Sequence, residues 1–151
     1  MSTPVRKAVS HDVPHHVRPE EAIFFITICT RPRGVNQLCH PDLAGRLFES
    51  VARRHARGDR WVDLFLLMPD HLHALIGSPS DKTLARVIGQ WKRYTARELG
   101  INWQRDFFEH RLRRDESLVE KADYILKNPV RAGLVTRAED WPFVWRPPAA
   151  A

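Results

Sequence analysis

Two histidines separated by a single residue are the most chemically suggestive feature of the sequence. His71 and His73 lie in the run HLHALIG, whose composition predicts a strand. Side chains alternate between the two faces of a strand, so both imidazoles point to the same side. Two neighbouring imidazoles can bind one divalent metal ion and leave coordination positions open for a substrate oxygen. A pair of ordinary, half-exposed strand histidines is the alternative.

Tyr124 is the second candidate for chemistry. The predicted last helix has one apolar stripe, made by Leu118, Val119, Ala122, Ile125 and Leu126. At about 100° per residue, Tyr124 falls opposite the centre of this stripe, on the polar face. Asn128 follows one helical turn later on the same side. A tyrosine beside a metal-bound phosphodiester is a competent nucleophile that would form a covalent phosphotyrosine, whereas a surface tyrosine without a chemical role is the alternative.

Positive charge is concentrated in about a fifth of the chain. Lys and Arg number 24 against 18 acidic residues, and the net charge of +6 is typical of a protein that binds a polyanion, most often nucleic acid. The basic residues of the richest stretch are Arg86, Lys92, Arg93, Arg97, Arg105, Arg111, Arg113 and Arg114. We interpret them as candidate DNA contacts, and a solvated helix face is the alternative.

The elements that would position these residues alternate between strands and helices. Strands are predicted at 22–29, 61–68, 71–77 and 106–112. Helices are predicted at 41–57, 82–99 and 115–127, the last of them ended by Asn128 and Pro129. This order predicts an α+β fold: a ferredoxin-like split βαββαβ antiparallel sheet with an added C-terminal helix that carries the tyrosine. Helices would cover one face of the sheet and leave the other free for a ligand.

Length and composition predict a single domain. The chain has 151 residues, of which 43% are hydrophobic and 28% charged, and these values exclude the disordered and fibrous classes. We expect a flexible N-terminal arm at 1–19, one domain at 20–146 and a tail at 147–151. Two loosely spaced cysteines indicate a reduced, cytoplasmic protein. The sequence shows neither a membrane span nor the apolar segment of a signal peptide.

Four ordered motifs resemble those of the REP-associated tyrosine transposases. The motifs are MPDHLHALI at 68–76, NWQRDFFEHRLR at 102–113, EKADYILKNPVRAGLV at 120–135 and EDWPF at 139–143. These proteins are bacterial relatives of the insertion-sequence transposases that use a single catalytic tyrosine. They belong to the HUH endonucleases, named for their His-hydrophobic-His pair. The resemblance covers nearly all of the chain from Ala22 to Phe143, and the sensible spacing of four motifs makes it specific.

The resemblance implies a role for several motif residues. His71 and His73 match the metal ligands, Tyr124 the nucleophile, and Asn128 the third metal ligand of related transposases. The implied activity is cutting and rejoining of single-stranded DNA that carries hairpins, with Mg²⁺ or Mn²⁺, through a covalent 5′-phosphotyrosine. His110 matches a recurring family position for which no chemical role follows. A nucleoid-associated protein is implied, as a monomer or a homodimer.

The basic stretch and its aromatic residues would complete such a site. We expect the stretch to flank the metal face and to hold a phosphate backbone across the histidine pair. Trp91 and Trp103 would stack on bases, and packing in the core is the alternative for each. Tyr94 is interpreted as a core or interface residue, with DNA stacking as the alternative.

Two other functions are compatible with the sequence. A domesticated, non-catalytic protein on the same fold would bind palindromic hairpin DNA for regulation, although intact His71, His73, Tyr124 and Asn128 argue against it. A ferredoxin-like RNA-binding module would present aromatic residues on its exposed sheet face, where histidines are predicted here.

Overall fold

The computed structural model describes residues 22–57, 61–113 and 117–148. The strands are β1 (Ala22–Cys29), β2 (Trp61–Met68), β3 (His71–Ser78), β4 (Phe108–Arg111) and β5 (Val144–Trp145). The helices are α1 (Pro41–Ala56), α2 (Asp81–Leu99), α3 (Leu118–Leu126) and α4 (Asn128–Arg131), with a 3-10 turn at Ala138–Asp140. The predicted arm at 1–19, Arg114 and residues 149–151 of the predicted tail lie outside the described residues.

The five strands form one antiparallel sheet in the order β4-β1-β3-β2-β5. The first four strands, with α1 and α2, have the split βαββαβ connectivity, so the predicted α+β fold class is confirmed. β5 is an addition that the sequence did not predict; its Val144 pairs with Leu66 at the β2 edge. Within the described ranges, no helix combines the length and the apolar content that crossing a bilayer requires.

Helices α1 and α2 cover one face of the sheet. α2 begins after Ser80, whose side chain accepts a hydrogen bond from the amide of Thr83, and ends at Gly100, which adopts φ +72°. The core of this layer includes Phe24, Ile26, Ile28, Leu47, Val51, Leu72, Ala74, Ile76, Leu84 and Ile88. The strand residues of that group alternate along β1 and β3, so the intervening side chains of both strands point to the opposite face.

Trp91 and Trp103 are core residues of this layer. They are 4% and 7% exposed, and their ring centroids lie 5.5 Å apart. Trp91 Nε1 donates to Ser50 Oγ, and Trp103 Nε1 donates to Thr95 Oγ1. Because both rings are buried and both indole donors are satisfied, the expectation that these residues stack on bases is wrong and their packing role is correct.

Helix α3 packs on the other face, which the sequence had predicted to be free. It begins after Ser117, whose side chain accepts from the amide of Glu120. The second core beneath it contains Leu64, Leu66, Met68, Leu75, Leu118, Ala122 and Ile125. The histidine face is therefore partly covered, and α3 brings its polar side next to the site.

Helix α3 ends just before the Asn128–Pro129 pair, as the sequence predicts. α3 closes at Lys127, whose amide donates to the carbonyl oxygen of Asp123, and α4 starts at the next residue. Pro129 lies in the first turn of α4, where its missing N–H leaves no hydrogen bond unmade. Arg131, at the end of α4, contacts Tyr124 of α3.

Candidate active site

His71 and His73 lie side by side on the sheet face that carries α3. Their ring centroids are 4.9 Å apart and their planes are nearly perpendicular, at 80°. Leu72, between them in sequence, is fully buried on the opposite face. In the strand register, His73 pairs with Thr27 of β1 and with Leu66 of β2. The two imidazoles therefore share one face, as the strand alternation indicated.

The carboxylate of Asp70 holds the His71 ring. Oδ1 of Asp70 lies 2.9 Å from His71 Nδ1, while Oδ2 accepts from Arg33 Nε at 2.9 Å and from the Gly34 amide at 2.8 Å. Burial would raise the pKa of Asp70, but the hydrogen bonds from Arg33, His71 and Gly34 lower it below its usual value. An ionised carboxylate at Nδ1 favours the tautomer with its proton there, which leaves the lone pair of His71 Nε2 available to a ligand such as a metal ion.

The ring of His73 is oriented by a hydroxyl group and an aromatic ring. Its Nδ1 is 3.0 Å from Thr27 Oγ1, and the Phe25 ring centroid lies 5.6 Å from its own. Burial is the main cause that lowers the pKa of His73 to about 4, and electrostatic interactions with His71 and Arg131 lower it further. The imidazole is therefore neutral at physiological pH, which is the form that binds a metal ion.

Tyr124 lies at the edge of this face. Its side chain is 52% exposed, and its ring meets that of Phe25 at 75°, with the centroids 6.5 Å apart. The Arg131 guanidinium carbon lies 4.0 Å from the Tyr124 ring centroid, a cation–π contact. Because Phe25 also contacts His73, one phenylalanine ring joins the tyrosine to the histidine pair.

Asn128 is connected to Tyr124 through Arg131. The Nη2 atom of Arg131 donates to the backbone oxygen of Tyr124 at 2.7 Å and to Oδ1 of Asn128 at 2.9 Å. Among the described residues, the buried Nδ2 of Asn128 has no hydrogen-bond partner. Oδ1 has a second lone pair, so accepting from Arg131 does not prevent it from binding a cation.

The donors on this face suit a divalent transition metal ion. In the described part of the chain, no three His, Cys, Asp or Glu side chains cluster as a metal site would require. His71 and His73 are the imidazoles that could hold a metal ion on this face, and the neutral amide of Asn128 stays the predicted third ligand. Imidazole nitrogen binds transition ions well, whereas Mg²⁺ prefers oxygen ligands. This set fits Mn²⁺ better than Mg²⁺.

The arginines of α2 lie on the opposite side of the sheet from the histidine pair. The buried side of α2 packs on the face that carries Phe24, Leu72 and Ile76, so its exposed side points away from the sheet. The arginines on that exposed side are Arg86, Arg93 and Arg97. The expectation that they flank the metal face is therefore wrong, because a strand bound to α2 would have to pass around a sheet edge to reach the histidines.

The other predicted DNA contacts are dispersed. Arg111 pairs with Phe24, which places it on the face covered by α1 and α2. Arg105 and Arg113 are exposed before and after β4. His110 pairs with Phe25 and therefore shares the face of the histidine pair.

Lys92 is a structural residue and not the DNA contact that its charge suggested. Its side chain is 8% exposed, and Nζ donates to the carbonyl oxygens of Gln104 at 2.7 Å and Arg105 at 2.9 Å. Burial lowers its pKa, a shift that Asp106 opposes. The ammonium group joins α2 to the loop before β4 and is not available to a phosphate.

We expect Lys92→Met to lower the free energy of unfolding by about 1–3 kcal/mol, because backbone carbonyl oxygens lose a charged donor. The salt dependence of DNA binding should not change. Arg93→Ala is the matched control: this exposed neighbour should reduce the salt slope by about 1 and leave stability nearly unchanged. Denaturant unfolding measures the free energy of unfolding, and binding titrations at several salt concentrations measure the salt slope. A salt slope that falls equally in both variants would contradict the structural role.

Four residues of the site did not stand out in the sequence: Phe25, Thr27, Asp70 and Arg131. Thr27 is a lone hydroxyl residue in the apolar run AIFFITIC, and Asp70 directly precedes the histidine pair. Arg131 follows Tyr124 by seven residues and Asn128 by three, which are spacings of a shared helical face. These residues are visible in the sequence, but the residues that they contact lie up to 46 positions away along the chain.

Comparison with known proteins finds similarity to transposases. No family model matches it. A Haemophilus influenzae protein named as a REP-associated tyrosine transposase is 37% identical over 95 residues, which cover 51% of this chain and 53% of that protein. The REP-associated tyrosine transposase of Escherichia coli K12 is 29% identical over 85 residues, covering 54% and 52%. The chain therefore spans about half the length of the curated relatives it matches.

A solved structure of a transposase has a similar fold. The structure of a REP-associated tyrosine transposase bound to a REP hairpin matches with a TM-score of 0.68, over 82% of this chain and 75% of that one. Its sequence identity is 24%, so this likeness establishes the fold. The resemblance indicated by the four motifs is thus confirmed: in sequence and in fold, this chain is similar to the REP-associated tyrosine transposases.

Proposed function

We propose that this protein is a metal-dependent enzyme that nicks and rejoins single-stranded DNA carrying hairpins, with Tyr124 as its nucleophile. The observation that carries the proposal is one sheet face that unites an oriented histidine pair with an exposed tyrosine, joined by Phe25. The transposase names of the relatives support the class of reaction. The hairpin bound by the structural neighbour supports hairpin DNA as the ligand.

The chemistry follows from the position of the phenol. Tyr124 Oη attacks the scissile phosphorus and loses its proton to solvent, while the bond from phosphorus to the 3′ oxygen breaks and that oxygen takes a proton from solvent to leave as a hydroxyl. The products are a 5′-phosphotyrosine and a free 3′ end, which rejoins the strand by the reverse attack. Arg131, already beside the Tyr124 ring, supplies positive charge near the phosphate. A divalent ion on His71 and His73, with Asn128 as third ligand, would withdraw charge from the scissile phosphate.

Covalent capture of DNA tests this proposal. A single-stranded hairpin oligonucleotide labelled on the 3′ side of the cut is incubated with the protein and Mn²⁺, Mg²⁺ or a chelator, and resolved on a denaturing gel. We expect a labelled protein band with Mn²⁺, a weaker one with Mg²⁺ and none with the chelator. Hairpin binding without an adduct in any metal would overturn the proposal and favour a non-catalytic hairpin-binding protein.

Asp70→Asn is expected to weaken Mn²⁺ binding about 10- to 100-fold, because a neutral amide no longer fixes the proton of His71 on Nδ1. Titration calorimetry measures the affinity. Asp106→Asn removes an exposed carboxylate of the loop before β4 and should leave the metal affinity unchanged. An Asp70→Asn affinity within twofold of wild type would show that Asp70 does not position the ligand.

A further inference from the structure

Phe108 exposes an apolar side chain beside the candidate active site. It is 59% exposed, more than any other large hydrophobic side chain among the described residues. It lies on β4, the edge strand of the sheet, and pairs with Thr27.

The strand register puts Phe108 in line with a proposed metal ligand. Phe108 pairs with Thr27, and Thr27 pairs with His73, so the three residues form one row across β4, β1 and β3. Directly paired residues share a face, and adjacent strands are about 4.8 Å apart, which puts the backbones of Phe108 and His73 about 10 Å apart. Phe108 therefore lies on the histidine face, two strands from the proposed metal.

Phe108 also extends an aromatic surface that ends at Tyr124. The Phe108 and Phe25 rings meet at 83° with their centroids 6.5 Å apart, and Phe25 meets Tyr124 at 75° over the same distance. A perpendicular contact engages at most one face of the Phe108 ring. The surface therefore carries an exposed ring at one end and, at the other, the proposed nucleophile with the Arg131 guanidinium beside it.

We propose that Phe108 is a stacking platform for an unpaired base of the DNA strand next to the phosphate that Tyr124 attacks. This inference rests on the proposed function, since it places the strand across the same face. A single strand matches both ends of the surface, because flat bases fit an exposed ring and phosphates fit Arg131 and the metal. His110, two residues further along β4 on the same face, is polar. The apolar patch around Phe108 is therefore narrow, which suits a single base better than a protein surface.

The test compares base-containing and abasic DNA. Binding is measured in the Tyr124→Phe variant, so that covalent capture does not contribute, with a hairpin oligonucleotide carrying a single-stranded flank. We expect Phe108→Ala to weaken binding about 5- to 150-fold, the range for one base–aromatic stack. An abasic flank should weaken binding to the Tyr124→Phe parent by a similar factor. When Phe108→Ala is added to that parent, the abasic flank should cause no additional loss of affinity. Phe108→Tyr should restore binding to base-containing DNA.

Val119→Ala is the matched control, since Val119 on α3 is 55% exposed and lies outside the proposed machinery. It should bind both oligonucleotides as the parent does. Equal affinity of Phe108→Ala and the parent, or an equal loss on base-containing and abasic flanks, would overturn the proposal. A dimer that Phe108→Ala converts to a monomer would overturn it too, because a second copy would then cover the ring. If no variant forms an adduct but the base-dependent loss persists, the proposed chemistry fails and the stacking role stands.

Discussion

Tyr124→Phe is expected to abolish the covalent DNA adduct while hairpin affinity stays within about twofold of wild type. The substitution removes only the phenolic oxygen, and the ring keeps its contacts with Phe25 and Arg131. Without that oxygen the side chain has no atom that attacks phosphorus, so we expect adduct formation to fall by at least about 10³-fold. Stability should change little, because the side chain is half exposed.

The other tyrosine of the chain provides the matched control. Tyr94 lies on α2 in a groove that it lines with Arg53, Arg54 and Arg57, on the layer opposite the histidine pair. Tyr94→Phe should therefore form the adduct at the wild-type rate on the same labelled oligonucleotide. An adduct formed by Tyr124→Phe at that rate would assign the nucleophile to another residue, and mass spectrometry of the DNA-linked peptide would identify it.

The first four strands of the sheet could be predicted from the sequence because each of them lies between recognisable turn residues and has a readable side-chain pattern. The alternation of Leu72, Ala74 and Ile76 with the two histidines determined which face each side chain occupies. The covering of the second face also has a signal in the sequence. β2 reads WVDLFLLM and is apolar at nearly every position, which is typical of a strand buried on both sides.

The position of the basic stretch could not be inferred from its place along the chain. Arg86, Arg93 and Arg97 are close in sequence to the histidine pair, yet α2 packs on the opposite face and directs them away from it. Lys92 has the same charge as these neighbours but is buried, because the helical period places it on the inward side of α2. A count of charges therefore describes the composition of a segment, while the apolar stripe decides which of its charges reach solvent.

The contacts that orient the proposed ligands could not be predicted from local sequence patterns. The bond from Thr27 to His73 spans 46 residues, and that from Arg33 to Asp70 spans 37. Such contacts depend on strand register and on loop conformation, neither of which leaves a periodic signal. Residue types and spacing could thus nominate His71 and His73, but the groups that would tune them became evident only with the strands in place.

His73→Ala is expected to have the second large effect, the loss of metal-dependent adduct formation. The variant removes one of two imidazoles that the site offers, so Mn²⁺ affinity should fall by more than the roughly 10- to 100-fold expected for Asp70→Asn, which keeps both ligands. Hairpin binding in chelator should persist, since it would depend on backbone and base contacts that need no metal. Calorimetric Mn²⁺ titration and the denaturing-gel assay measure the two losses.

His110→Ala is the control for His73→Ala, because His110 lies on the same face but two strands away, on β4. It should keep both the metal affinity and the adduct. His71→Ala should reproduce the His73→Ala result, since one imidazole with a neutral amide is a poor site for a divalent ion. If His73→Ala and His71→Ala both retain an adduct that chelator abolishes, the metal binds elsewhere, and the histidine pair would have to act through hydrogen bonds to the DNA.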